Sequence, residues 1–523
     1  MKKSSYDIAI VGIGGLFPEC EDLKDFWDMI ENGKSAFKHA PKNRWILDSS
    51  SVISEVKTPN KAFTDIGAFI SEDTIQKLCS KYGIEDDNLD PVFKITAIAG
   101  KSAFKECNSS SISADKVGVI LGSIALPTET SEQISFDLAL SDCKNISTNP
   151  INSLVNSHTA SFLAKTIGAE GESFTLDAAC ASSLYAVKLA CDRLVEGKAD
   201  LMLAGGVSRP DCMYTSIGFT QLSALSTDGI CAPFDKKGKG LVTGEGAGII
   251  CLKRVEDAIK DGDKIYGVIK AVGLSNDREG SLLMPSQEGQ LRAMKEAYEQ
   301  ANLLPSDIDL FECHATGTPA GDKVEFGSLC KLFSEFNCKR ENKKSALGSV
   351  KSNIGHLLTG AGGAGLVKVL LSMQKGILPP IANYSTPSID IENSPFFVPT
   401  KAEKWDSKTK RVAVSAFGFG GINAHVIIEE FKKELYENKK ALNPQKNDKK
   451  VAVVGIDVRV GNVNNAYEFE KMRAEGKYPS KRTFEDTQIP FGKIKIPPKE
   501  LDESLPQQKA MLLSAILSGK VCV

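Results

Sequence analysis

Three short segments carry side chains that could do chemistry together. In SFTLDAACASSLYAVKLACDRL (173–194) a strand-like run meets small residues, then a helical pattern with Leu184, Val187, Cys191 and Leu194 on one apolar face. Cys180 thus stands at a strand-to-helix turn. Exposed amides and the positive end of the helix dipole favour thiolate there, and pull the pKa below the free value of about 8.5. Small neighbours leave room for a substrate, as in a nucleophile elbow. The competing reading is one more buried thiol among thirteen cysteines. In IDLFECHATGTPAGDKVEFGSL (308–329) a strand ends at His314 and passes into a Thr/Gly/Pro loop, a common catalytic position in α/β proteins; otherwise His314 caps the strand. In ALGSVKSNIGHLLTGAGGAGLVKVLLS (346–372) a strand leads to Lys351, a turn, and His356 at the start of a small-residue helix.

Gly360, Gly362 and Gly365 formally satisfy GxGxxG. They follow the helix start rather than a strand, and no acidic residue follows at about 20 positions, so close helix packing explains them better than a dinucleotide. Gly12, Gly14 and Gly15 also fail, because Phe17 stands where the third glycine belongs. Of the five histidines, His39 and His158 lie in polar surroundings and read as surface residues. His425, on a strand after a Gly-rich turn in SAFGFGGINAHVIIEE (415–430), reads as structural.

The elements that must position these residues alternate in type. Strand-like runs IAIVGI, KVGVILGS, ADLMLAGGVS, GAGIICLKRV, IYGVIKAVGL and IDLFECHATG are separated by amphipathic segments such as LKDFWDMIENG. This predicts an α/β fold with strands buried on both faces. The chain has 523 residues, 42% hydrophobic and 25% charged, which suits roughly two to four globular domains. Its formal net charge is −2, so no basic excess would draw nucleic acid to the surface. No apolar run reaches the ~18 residues of a membrane span, and the opening segment lacks a secretory pattern, so a cytoplasmic protein is expected. The cysteines lie at least eight residues apart and form no CxxC, which argues for free thiols and against a metal cradle.

Residues 431–450 carry seven lysines and read as a solvated linker. Beyond it, 451–477 aligns with 8–34 at a constant offset of 443. Ala9, Val11, Gly12, Ile13, Phe26, Met29, Gly33 and Lys34 recur as Ala452, Val454, Gly455, Ile456, Phe469, Met472, Gly476 and Lys477. The stretch 451–523 is therefore expected to begin a second copy of the first unit, either as part of a longer polypeptide or as a tail packed on that unit.

DAACASSL with Cys180, ECHATGTPAGD with His314, KSNIGH with Lys351 and His356, and AFGFGGINAH together resemble the β-ketoacyl synthase domains of polyketide and fatty acid synthases, over about residues 6–430. The DAACASSLYAVKLA form resembles the ketosynthases of bacterial polyunsaturated fatty acid synthases and related iterative polyketide synthases more than those of common modular polyketide synthases, and in the former a chain-length-factor-like copy can follow. The resemblance implies a thiolase-like αβαβα fold of five layers in two similar halves, about 1–260 and 261–430, and a homodimer. It implies Cys180 as acyl-accepting nucleophile, with the amides of Cys180 and Phe419 as oxyanion hole. His314 and His356 would donate to the thioester oxygen during decarboxylation of a malonyl thioester, without a metal. Lys351 would order the His356 loop by pairing with a carboxylate such as Asp322 or Glu325, and Thr316 and Thr318 would meet a phosphopantetheine arm carried by a partner acyl carrier protein; the residues alone also allow a solvated surface lysine and two turn-forming threonines. No cofactor would be bound by this chain. Cys313 is expected to face away from the site, since neighbours on a strand alternate. Two other readings stand beside this one: a non-catalytic scaffold or chain-length factor, opposed by the presence of Cys180, His314 and His356, and a cysteine acyl hydrolase or simple acyltransferase, in which His356 and Lys351 would be idle.

Overall fold

The computed structural model describes residues 7–42, 44–85, 88–140, 149–278, 284–338, 344–436, 451–480, 489 and 504–519. They divide into two compact units, 1–445 and 446–523. In the first, the apolar runs become strands β1 (Ile8–Leu16), β2 (Val117–Ser123), β3 (Ser173–Leu176), β4 (Leu201–Ser208) and β5 (Gly246–Arg254), followed by β6 (Gly267–Asn276), β7 (Leu310–Glu312), β8 (Ser345–Gly348), β9 (Arg411–Gly418) and β10 (Ile422–Glu429).

These ten strands repeat one topology twice. The sheet order is β8-β7-β9-β10-β6-β1-β5-β4-β2-β3, with the short strand Phe396–Phe397 beyond β8. In chain order within each half, that places the third strand at the outside, then the second, fourth, fifth and first. In both halves the first and fifth strands run antiparallel, as do the fifth and fourth, and the fourth, second and third run parallel. The halves join where β1 pairs with β6 over Ile8–Ile269, Ala9–Val268 and Ile10–Gly267.

Helices cover every face, because strands that are apolar on both sides must be buried on both. α3 (Ser182–Val195) and α6 (Ala361–Lys375) form the middle layer, where Leu184, Val187, Leu366 and Val369 share a core with Ile10, Ile250, Val414 and Val426. α1 (Pro91–Lys105) and α2 (Val155–Ile167) cover one outer face, packing Phe93, Ile98 and Leu163 on Val11, Val119 and Ile249. α4 (Gln287–Ala301) and α5 (Pro319–Glu335) cover the other, packing Met294, Tyr298, Leu329 and Phe333 on Phe311, Ala413 and Ile427. The five layers and two similar halves expected from the motifs are present. The small residues of α6 are there for packing: a Cβ at Gly363 would lie 2.3 Å from Gly248 O on β5, and one at Gly362 would lie 3.0 Å from Leu184 on α3.

The Lys-rich segment starts later than the expected 431. Phe431 and Tyr436 stack with ring centroids 5.6 Å apart, and Tyr436 is buried over the Lys270 ammonium, so 431–436 belongs to the first unit. The rest of the linker, 437–450, lies outside the described residues. In the second unit the repeat is half realised. Its helix α7 (Ala466–Ala474) sits at an offset of 443 from the helix Leu23–Glu31. Asn465 caps it as Asp22 caps the earlier helix, and Gly476 takes the left-handed conformation of Gly33. Residues 451–459, which align with β1, form no strand, and Val451, Val453 and Ile456 are exposed. A strand needs neighbours to pair with, and β1 has β5 and β6; the described part of the second unit offers no counterpart of either. A final helix, α8, covers Pro506–Gly519.

Candidate active site

Cys180 sits in a tight elbow between β3 and α3. Asp177 Oδ1 accepts the Ala179 amide at 2.9 Å, and Ser182 Oγ accepts the Ala178 amide at 2.7 Å. Ala179 is held at φ +49°, a strained value for a residue with a side chain. The Gly-rich turn after β9 lies directly against this elbow: a Cβ at Gly418 would fall 3.0 Å from Ala178 O and 3.2 Å from Cys180 N. The glycine gives the turn this close approach without crowding, and the next residue, Phe419, brings its amide to the sulfur, where it and the Cys180 amide both donate. The two amides expected as oxyanion donors therefore converge at the Cys180 sulfur.

The thiol itself departs from expectation. Burial pushes Cys180 up to about 11, against the pull of the Lys351 charge and of the Phe419 and Cys180 amides. A helix end lowers a thiol pKa when the sulfur keeps contact with water; here the sulfur is enclosed, and loss of hydration outweighs the dipole.

The two histidines arrive on loops braced from α5 and from the segment before β5. His314 and Ala315 donate their amides to the two oxygens of Glu325 at 2.8 and 2.7 Å. Asp322 accepts from Thr316 at 3.0 Å and Phe234 at 2.9 Å. His356 N donates to Val242 O at 2.7 Å. The imidazoles stand edge to face, 5.2 Å between centroids, and the reactive atoms of Cys180, His314 and His356 all lie within 4.8 Å of one another. Burial holds both imidazoles well below the usual histidine range, with the Lys351 charge adding to the effect, so both are neutral at pH 7. The Leu358 amide donates to His356 Nδ1 at 3.2 Å. That fixes the proton on Nε2, making His356 a hydrogen-bond donor toward the cysteine. The same tautomer makes it a poor metal ligand, although the sulfur and two nitrogens are close enough for one.

Lys351 is buried, and it does not pair with Asp322 or Glu325 as expected. Those carboxylates are taken up by the backbone amides of the His314 loop. Lys351 acts at longer range: burial lowers its pKa, and Glu312 is the first of the charges that raise it again. Burial also pushes Asp322 up to about 6 and Glu325 up to about 8. Glu312 was not visible as a site residue. It accepts the Val350 amide and pairs with fully buried Lys368 at 2.7 Å, bracing the Lys351 turn from below. Cys313 points into the outer core with its thiol directed at Phe311 O, and His425 is fully buried on β10 beside Ser415. His39 is exposed beside Asp65, and His158 is half-buried next to Ser157.

A cavity of about 410 Å³ contains Cys180, His314, His356 and Phe419, with Thr316, Thr318, Asp322 and Glu325 along one side. Thr316 and Thr318 hydroxyls lie 2.9 Å apart. Much of the remaining wall is apolar, from Phe219, Leu222, Leu241, Met284 and Phe417. These residues come from four separate segments, and no local pattern joins them. Such a site has room for a chain attached to the sulfur and for a second group beside the histidines.

Comparison with known proteins agrees with this geometry. Family models described as "Beta-ketoacyl synthase, N-terminal domain", "Beta-ketoacyl synthase, C-terminal domain" and "Ketoacyl-synthetase C-terminal extension" match residues 5–258, 266–385 and 386–468. Polyketide synthase PksN of Bacillus subtilis is 33% identical over 81% of the chain. A polyunsaturated fatty acid synthase component from a Thraustochytrium species is 30% identical over 96% of it. The chain spans 8% and 26% of those two relatives. Among solved structures, "PfaC Keto synthase-Chain length factor" is 35% identical with a TM-score of 0.80, covering 90% of this chain and 52% of that one. The ketosynthase from module 6 of the bacillaene synthase of B. subtilis is 30% identical with a TM-score of 0.69, covering 81% and 72%.

Proposed function

Since the chain belongs to the β-ketoacyl synthase family, we propose that it catalyses decarboxylative Claisen condensation of a malonyl-type carrier thioester with an acyl chain held on Cys180, in polyketide or fatty acid biosynthesis. The observation that carries this reading is the convergence of one thiol, two neutral imidazoles and two backbone amides on one cavity.

The steps follow from the geometry. Cys180 attacks the acyl thioester, its carbonyl oxygen taking the Cys180 and Phe419 amides; such a donor is worth about 2.7–4 kcal/mol in a transition state. The departing carrier thiol keeps the proton that Cys180 gave up. The malonyl thioester then enters with its carbonyl oxygen at the histidines. As carbon dioxide leaves, that oxygen gains enolate charge and His356 Nε2–H stabilises it, with His314 beside it. The α-carbon attacks the acyl-Cys180 carbonyl, the sulfur leaves as thiolate and takes up a proton from solvent, and the product is a β-ketoacyl thioester. Neutral imidazoles suit this branch, which needs donors and no base strong enough to remove an α-proton.

The same reading assigns Thr316 and Thr318 to the phosphopantetheine arm of a separate acyl carrier protein. Lys351, Asp322 and Glu325 are positioning residues for the histidine loops. It takes the protein to be a cytoplasmic homodimer, for which two features speak. All eleven described cysteines are unbridged, and among the described residues β3 pairs on one side alone, leaving an edge able to pair with a second copy. No helix among the described residues is long and apolar enough to cross a membrane. The region 446–523 is read as the start of a chain-length-factor-like unit, supported by the repeated capped helix and by the 96% coverage in the polyunsaturated fatty acid synthase relative.

The test is product formation. Incubation with acyl-carrier and malonyl-carrier thioesters should yield β-ketoacyl-carrier and carbon dioxide. His356→Ala should still accept the acyl group and fail to release carbon dioxide. Loss of the acyl group to water without condensation would instead favour a hydrolase.

A further inference from the structure

Several polar side chains in the cavity wall have no part in the steps above, Gln290 among them. Gln290, on the first turn of α4, lines the cavity and is 1% exposed. Its carboxamide meets one described side chain, Ser328, through a 2.7 Å contact to Oε1. Ser328 Oγ also lies 2.9 Å from Val324 O. A hydroxyl has one proton for these two acceptors. If it goes to Val324, Gln290 must turn its Nε2–H toward Ser328. In either orientation the other half of the carboxamide bonds to no described residue. Gln290 lines the cavity, so a ligand group that displaces water from the free half of its carboxamide must replace that hydrogen bond or lose affinity.

We propose that Gln290 is a specificity-determining residue whose carboxamide bonds a hydroxyl of the thioester substrate, so that this enzyme favours hydroxyl-bearing thioesters over counterparts lacking the hydroxyl. A hydroxyl both donates and accepts, and so meets either orientation of the amide. It has two sources, the acyl chain and the pantetheine arm. The inference rests on acyl transfer to Cys180 in this cavity. A site that hydrogen-bonds a substrate hydroxyl rejects the analogue lacking it far better than an apolar wall rejects an added hydroxyl.

The experiment measures kcat/KM for acylation of the full chain by two pairs of thioesters. Octanoyl against 3-hydroxyoctanoyl, both on N-acetylcysteamine, isolates the chain hydroxyl. Octanoyl-N-acetylcysteamine against octanoyl-pantetheine isolates the arm. One pair should show a preference of roughly tenfold for the hydroxyl-bearing member, and Gln290→Leu and Gln290→Met should both abolish that preference while still acylating Cys180. Two variants guard against a packing defect peculiar to one, and their thermal midpoints show whether they fold. No preference in either pair, or the same preference in both variants, overturns the role of Gln290 alone. Absence of acylation from every thioester overturns it together with the ketosynthase reading.

Discussion

At the scale of single residues, the site works through enclosure. Cys180 carries a thiol pushed up to about 11 by burial, so its alkylation by iodoacetamide should keep rising with pH and level off only near that value. Lys351→Met removes the strongest opposing charge and should slow alkylation at any given pH; an unchanged rate would show that this lysine does not influence the sulfur. The histidines carry the opposite shift. Both are held well below their ordinary value of 6.5 by burial, so they stay neutral as pH falls through that value. Carbon dioxide release from a malonyl thioester should then show no acid limb from imidazole protonation at pH 6.5; a limb there that persists in Asp322→Asn, whose carboxyl is itself pushed up to about 6, would mean that a histidine titrates there. The identity of these three residues was legible because each ends a recognisable local pattern, a strand entering small residues or a Gly-rich loop. Their charge states were not. A pKa depends on what surrounds the group in three dimensions, and the helix-end argument for Cys180 pointed in the wrong direction because sequence shows the dipole and hides the desolvation.

At the scale of elements, two close fits hold the catalytic loops in place. Gly363 on α6 rests on Gly248 of β5, where a Cβ would stand 2.3 Å from a carbonyl oxygen. Gly363→Ala should cost about 1–3 kcal/mol in urea unfolding; a neutral result would show that α6 can shift. Beneath the Lys351 turn, Glu312 and Lys368 form an ion pair in which both side chains are almost wholly buried. Lys368→Met leaves a carboxylate stranded and should cost about 3–5 kcal/mol, whereas Glu312→Leu with Lys368→Met should recover most of that loss. Equal losses in the single and double variants would contradict the pairing. The glycine pattern of α6 announced close packing from sequence alone, since GAGGAG offers no side chains to bury. The ion pair was silent, because its partners lie 56 positions apart and neither falls in a charged run. The expected direct pairing of Lys351 does not form, although Glu325 is among the charges that raise its pKa. Asp322 and Glu325 are near it in space, but the unsatisfied amides of the His314 loop claim their oxygens first.

At the scale of the molecule, the layered architecture follows from one strand order used twice, with Cys180 in the elbow before α3 and the histidines on loops of the second half. Strand-like runs in the sequence located most of the ten strands, while the pairing order came only with the structure, because register is set between segments and not within them. The second unit shows the difference between local and non-local information. The helix of the repeat forms with its caps, and the strand, which depends on distant partners, does not. A chain cut after Gln445 should keep the unfolding midpoint of the first unit and its Cys180 alkylation, and a large fall in either would show that 446–523 supports that unit. The most direct test of the whole account is peptide mass mapping of wild type and Cys180→Ala after exposure to an acyl-carrier thioester, with carbon dioxide measured once malonyl-carrier is added. The account predicts one acyl group, on the peptide holding Cys180 in the wild type and nowhere in the variant, discharged as β-ketoacyl product with one carbon dioxide per turnover. An acyl group on another residue, or one lost to water without carbon–carbon bond formation, would contradict it.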